Sequence, residues 1–77
     1  MNATIEIRLY ATLNAYCPAN ADRYPIQPGT STAMLAERLG IPKDQVKLIF
    51  IDGIQSDFDS VLKGGERVGM FPPVGGG

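Results

Sequence analysis

Along residues 4–10 apolar and polar side chains alternate, with Ile5, Ile7 and Leu9 on one face and Glu6, Arg8 and Tyr10 on the other. A period of two predicts a half-buried strand. The period is lost over residues 11–22, where small and polar residues surround Pro18, so this stretch predicts a loop with room for a short helical turn near residues 12–16. Residues 23–27 predict a second strand, antiparallel to the first. Pro25 lacks an amide donor and so belongs at a sheet edge or a bulge. Pro28-Gly29 ends that strand, and Thr30, Ser31 and Thr32 are three candidate N-caps for a short helix carrying Leu35 and Leu39 on one face. Gly40 is a natural left-handed stop and Pro42 prevents continuation.

Residues 46–51 form a nearly continuous apolar run of strand formers, which predicts a central strand buried on both faces. Asp52-Gly53 is a hairpin-turn pair, and Ile54 and Gln55 start a short return strand. A turn is expected over residues 57–62 and another over Lys63-Gly64-Gly65-Glu66. Residues 67–71 predict the last strand, with Val68 and Met70 on one face. Strand, strand, helix, strand, short strand and strand in this order predict an α+β fold, a mixed sheet with one helix packed across it. The ubiquitin-like β-grasp is the simplest such arrangement. It places the last strand inside the sheet, giving a rigid domain over residues 1–74 and a flexible glycine tail over residues 75–77.

Composition narrows the chemistry. A chain of 77 residues has room for one small domain and no large internal pocket. It holds no histidine, no tryptophan and one cysteine, which removes the commonest general base and most metal-ligand sets. Neither a catalytic side chain nor a metal site is therefore expected. Seven basic and eight acidic residues are interspersed, leaving no electrostatic footprint for nucleic acid. No apolar run approaches the length of a membrane span, and Glu6 and Arg8 interrupt any amino-terminal secretory core. A cytoplasmic protein is expected. Cys17 reads as a packing or loop residue. Asp52, Asp57 and Asp59 lack the glycine and distal glutamate of a calcium loop and read as turn and cap residues. Gly64-Gly65 lacks the following lysine and hydroxyl of a phosphate loop and reads as a tight turn.

The informative motif is Arg67-Val68-Gly69-Met70-Phe71-Pro72-Pro73-Val74-Gly75-Gly76-Gly77. With Tyr10-Ala11-Thr12-Leu13, the helix end at Gly40, the Asp52-Gly53 turn and the Gly64-Gly65-Glu66 step, it resembles the MoaD/ThiS family of ubiquitin-like sulfur carriers. The Phe-Pro-Pro-Val form is nearest to the small subunit of molybdopterin synthase. Gly75 departs from the alanine usual there and leaves the final Gly-Gly in place.

The resemblance implies a non-enzymatic carrier that binds no cofactor of its own. Gly77 would be adenylated with ATP by a separate adenylating enzyme. A sulfur donor protein would then convert it to a covalent thiocarboxylate, to be delivered to the large subunit of molybdopterin synthase. Gly75, Gly76 and Gly77 would enter the partners' active sites, since glycine alone fits a channel that excludes side chains. Pro72 and Pro73 stiffen the start of the tail. Phe71 and Val74 are candidate anchors on a partner's apolar groove, with core packing the equal alternative for Phe71. Three other functions remain open: sulfur delivery for thiamine thiazole synthesis, a ubiquitin-like modifier forming isopeptide bonds through Gly77, and a binding module whose tail is inert.

Overall fold

The computed structural model describes residues 3–73. Its first strand, β1 (Ala3–Leu9), buries Ile5, Ile7 and Leu9 and leaves Thr4 and Arg8 exposed, as the alternation predicts. β2 (Tyr24–Ile26) lies antiparallel to β1 at the sheet edge, where the missing amide of Pro25 costs no ladder bond. The hairpin of β4 (Leu48–Ile51) and β5 (Ile54–Ser56) turns through Asp52 (φ 53°) and Gly53 (φ 83°), the left-handed pair that matches the twist of two antiparallel strands. β7 (Arg67–Phe71) closes the sheet, parallel to β1 and antiparallel to β4, so the order is β2-β1-β7-β4-β5.

One helix, α1 (Thr32–Leu39), covers one face of this sheet. Ser31 Oγ accepts from the Met34 amide at 3.1 Å as the N-cap, and Gly40 ends the helix in the left-handed region at φ 81°. Leu35 and Ala36 are fully buried against Ile5, Ile7, Ile49, Val68 and Met70, while Leu39 is half-buried at the margin. The β-grasp architecture expected from the element order is the one found.

Two details differ from the sequence reading. The apolar run over residues 46–51 does form an interior strand, β4, paired with β5 and β7, but it is not buried on both faces: in β4 only Ile49 is buried. Among the described residues no layer covers the second face of the sheet, and Leu48 and Phe50 are half exposed there. The segment expected to be only a turn contains β6 (Val61–Leu62), which pairs with β3 (Thr30–Ser31) as a separate two-stranded sheet. Thr32, fully buried at the start of α1, donates through Oγ1 to the Asp57 carbonyl and ties this small sheet to the helix. The turn foreseen within the first loop is a 3-10 helix (Ala11–Tyr16), joined by two further 3-10 turns (Ala21–Arg23 and Lys43–Gln45). The boundary expected at residue 74 falls outside the described residues.

Candidate functional site

β7 is held on both sides up to its last residue. The Tyr10 amide donates to the Met70 carbonyl at 3.2 Å, and the Lys47 amide donates to the Phe71 carbonyl at 2.7 Å. These bonds place the end of β7 firmly, and with it the point at which the Pro72-Pro73 segment leaves the sheet. Val74, Gly75, Gly76 and Gly77, the residues on which the sequence reading placed the chemistry, lie outside the described residues.

Phe71 is not in the core beneath α1. It projects from the uncovered face, half-buried, in a parallel stack on Tyr10 with centroids 4.2 Å apart and rings inclined by 3°. Phe50 meets it edge-on at 5.7 Å and 79°. Stacked and edge-to-face contacts are the favoured aromatic geometries, so the three rings hold one another in place. Gly69, opposite Phe50 in the register, lies beneath them: a Cβ there would touch Tyr10 Cε2 at 3.4 Å. The rings, Gly69, Gly53 and Arg67 line a cleft of about 240 Å³.

The charged half of this face is self-paired. Glu6 Oε2 accepts from Arg8 Nε at 2.5 Å and lies 3.6 Å from Arg67 Nε. The bond to Glu6, then its charge, pushes the Arg8 guanidinium further above its already high range, so Arg8 is a permanent cation. All three groups are solvated, and the pairs orient side chains more than they stabilise the fold.

A second cleft surrounds the exit path. Ala11 and Thr12 form one wall, Asp44 and Gln45 the other, with Pro72 and Pro73 between them. Ala11 adopts φ 53°, a left-handed conformation that is strained for any residue with a Cβ. It allows the chain to turn into the 3-10 helix directly after Tyr10 has bonded Met70. Pro72 is half-buried and Pro73 exposed, so a partner can reach both.

The other candidates resolve into structural roles. Asp52 Oδ1 accepts from the Arg67 amide at 2.9 Å, and Asp57 Oδ1 from the Asp59 amide at 3.0 Å. The amides of Lys63 and Gly64 point at the Glu66 carboxylate, 2.8 and 2.7 Å away, so the glycine turn is capped from within the chain. Cys17 is exposed in the loop after the first 3-10 helix. No group of three potential metal ligands converges among the described residues. No helix among them is long and apolar enough to cross a membrane. Sequence reasoning missed Tyr10 and Phe50 as site residues. The available signal was that both are aromatic at positions whose strand period faces away from α1.

The cleft beside β7 is lined mainly by aromatic rings and glycine. An apolar cleft beside a firmly anchored strand end suits docking and presentation. Comparison with known proteins bears on what is presented. The sequence model of the Mut7-C ubiquitin family matches residues 2–75. No match is found among curated proteins. The solution structure of the HVO 2177 protein of Haloferax volcanii is similar at 17% identity and a TM-score of 0.72, over 99% of this chain and 88% of that one. The crystal structure of SAMP1 of the same organism is similar at 16% identity and a TM-score of 0.68, over 97% and 100%. A putative molybdopterin converting factor subunit 1 of Pyrococcus furiosus is similar at 22% identity and a TM-score of 0.64, over 94% and 99%. At these identities the likeness shows a shared ubiquitin-like fold.

Proposed function

The chain belongs to the Mut7-C ubiquitin family, and from that premise we propose that it is a ubiquitin-like sulfur carrier acting through the carboxylate of Gly77. The observation that carries this reading is the construction around the end of β7. A central strand is anchored to its last residue, an aromatic cleft opens beside it, and the chain passes at once into Pro-Pro-Val-Gly-Gly-Gly. The body docks, and the residues that follow carry the group.

A carboxylate is a poor electrophile and needs activation. Attack of the Gly77 carboxylate on the α-phosphate of ATP, in an adenylating enzyme, forms an acyl adenylate and releases pyrophosphate. A sulfur donor, bearing a persulfide or sulfide, then forms the C–S bond as AMP leaves. Reductive release from a persulfide donor by a second thiol leaves the thiocarboxylate. This chain supplies no base to either step. Gly75, Gly76 and Gly77 add no side chains to a partner's channel, and Phe71, Pro72, Pro73 and Val74 form the docking segment, with Tyr10 and Phe50 completing its surface.

The Phe-Pro-Pro-Val ending and the fold shared with a putative molybdopterin converting factor subunit favour molybdopterin assembly in the cytoplasm, with a synthase large subunit as acceptor. Thiazole synthesis is the nearest variant. The fold shared with SAMP1, whose kind is named a small archaeal modifier protein, supports a second reading, in which a lysine amine attacks the same adenylate to leave an isopeptide bond.

Intact mass after incubation with ATP, an adenylating enzyme of the ubiquitin-activating type and a sulfur donor tests the carrier. Exchange of oxygen for sulfur adds about 16 mass units, and deletion of Gly77 abolishes it without changing the circular dichroism. No mass gain with an active enzyme control refutes the carrier reading, and conjugates larger than the free protein that depend on Gly77 select the modifier. The same spectra show directly whether Gly77 carries the free carboxylate.

A further inference from the structure

The two edges of the five-stranded sheet are built differently. At the β2 edge, Pro25 has no amide to offer and its carbonyl accepts from Arg38 Nη1 at 3.4 Å. Proline and a covering charge are the usual guards against strand addition. The β5 edge has no proline and no charge within the strand, with Lys63 and Glu66 beside it across a shallow cleft. Its residues Ile54, Gln55 and Ser56 are uncharged, and Ile54 is the most exposed large apolar side chain among the described residues, at 73%. In the adjacent turn the Asp52 carboxylate is engaged by the Arg67 amide of β7.

Register fixes which backbone groups are free. A two-residue turn makes Ile51 and Ile54 the hydrogen-bonded closing pair, so Phe50 and Gln55 form the next, non-bonded pair. The amide and carbonyl of Gln55 therefore point away from β4, outward from the sheet. We propose that this edge pairs with the same edge of a second copy of the chain, antiparallel about a two-fold axis at Gln55. On that axis each Gln55 amide donates to the other Gln55 carbonyl. Ile54 faces Ser56 of the second copy, and the two Ile54 side chains become diagonal neighbours on one face, within reach of each other. No like charges oppose within the paired segment, which is why a second copy fits where a charged strand would gain nothing. An isologous contact of this kind closes on itself and leaves the guarded β2 edges outermost.

The axis runs perpendicular to the sheet, so both aromatic clefts lie on the same side of a ten-stranded sheet and both β7 ends stay uncovered. Pairing three residues per chain gives a small interface, so association is weak and concentration-dependent. The inference is independent of sulfur transfer and survives if that reading fails.

Sedimentation equilibrium of the unmodified chain from micromolar to millimolar concentration tests it. The weight-average mass should rise toward the dimer. Ile54→Lys and Ile54→Glu, each at an exposed position that leaves the fold intact, should each weaken association by roughly tenfold or more through like charges on the diagonal. An equimolar mixture of the two should recover it as a heterodimer. A wild-type chain that stays monomeric throughout, single variants that associate as wild type does, or a mixture that recovers nothing, would each overturn the proposal.

Discussion

Replacing Phe71 by alanine probes whether the aromatic cleft is a preorganised unit or three rings that happen to be near one another. A fully buried phenylalanine costs about 3 to 5 kcal/mol on truncation, and Phe71 is half-buried, so a loss of about 2 kcal/mol is expected. A 77-residue domain has roughly 4 to 12 kcal/mol in total, so the variant folds, with its Tm lowered by roughly 8 to 16 °C. The parallel stack on Tyr10 at 4.2 Å accounts for part of that loss. Urea unfolding of wild type, Tyr10→Ala, Phe71→Ala and the double variant closes a mutant cycle. Stacked pairs couple by about 0.5 to 1.5 kcal/mol beyond the area that they bury, so the double variant should be less destabilised than the sum of the singles by that amount. Coupling below about 0.3 kcal/mol, the ordinary scatter of additivity, would refute the claim that the rings position one another. The cleft beside β7 would then be a loose surface rather than a preorganised one.

Two further outcomes test the backbone around the site. Ala11→Gly should stabilise the protein by about 1 kcal/mol in the same unfolding assay, because φ 53° costs alanine what it does not cost glycine; a neutral or destabilising result would mean that the strain is absent or that lost unfolded-state entropy outweighs it. Gly64→Ala should cost about 2 kcal/mol or more, since φ is 126° and the new Cβ would lie 2.5 Å from the Cβ of Ala3; a change under about 0.5 kcal/mol would show that β1 gives way easily there.

How much was legible in the sequence depended on whether the signal was local. The alternation of residues 4–10, the proline of the second strand, the Ser31 cap, the Gly40 stop and the Asp52-Gly53 turn each express the preference of a few neighbouring residues, and each element formed where its pattern lay. β3 and β6 were not legible. Two residues each, they exist as strands only because Thr30 meets Leu62 and Ser31 meets Val61, a pairing made across about 30 residues of chain.

The aromatic surface was half legible. Phe71 and the prolines stand in one continuous motif, whereas Tyr10, just after β1, and Phe50, in β4, are far apart in the chain and reach Phe71 only because β7 inserts between β1 and β4. The apolar run over residues 46–51 misled for the same reason: composition records that a face is apolar and is silent about whether a layer covers it.

The sequence by itself determined the elements, their turns and caps, and the run of prolines and glycines after β7, because these follow from side-chain shape and backbone freedom over a few residues. Only the tertiary structure decided that the uncovered face beside β7 gathers three aromatic rings, that β3 and β6 pair apart from the main sheet, and that the two sheet edges are built differently. Those properties belong to pairings between distant segments, such as the register of β7 between β1 and β4.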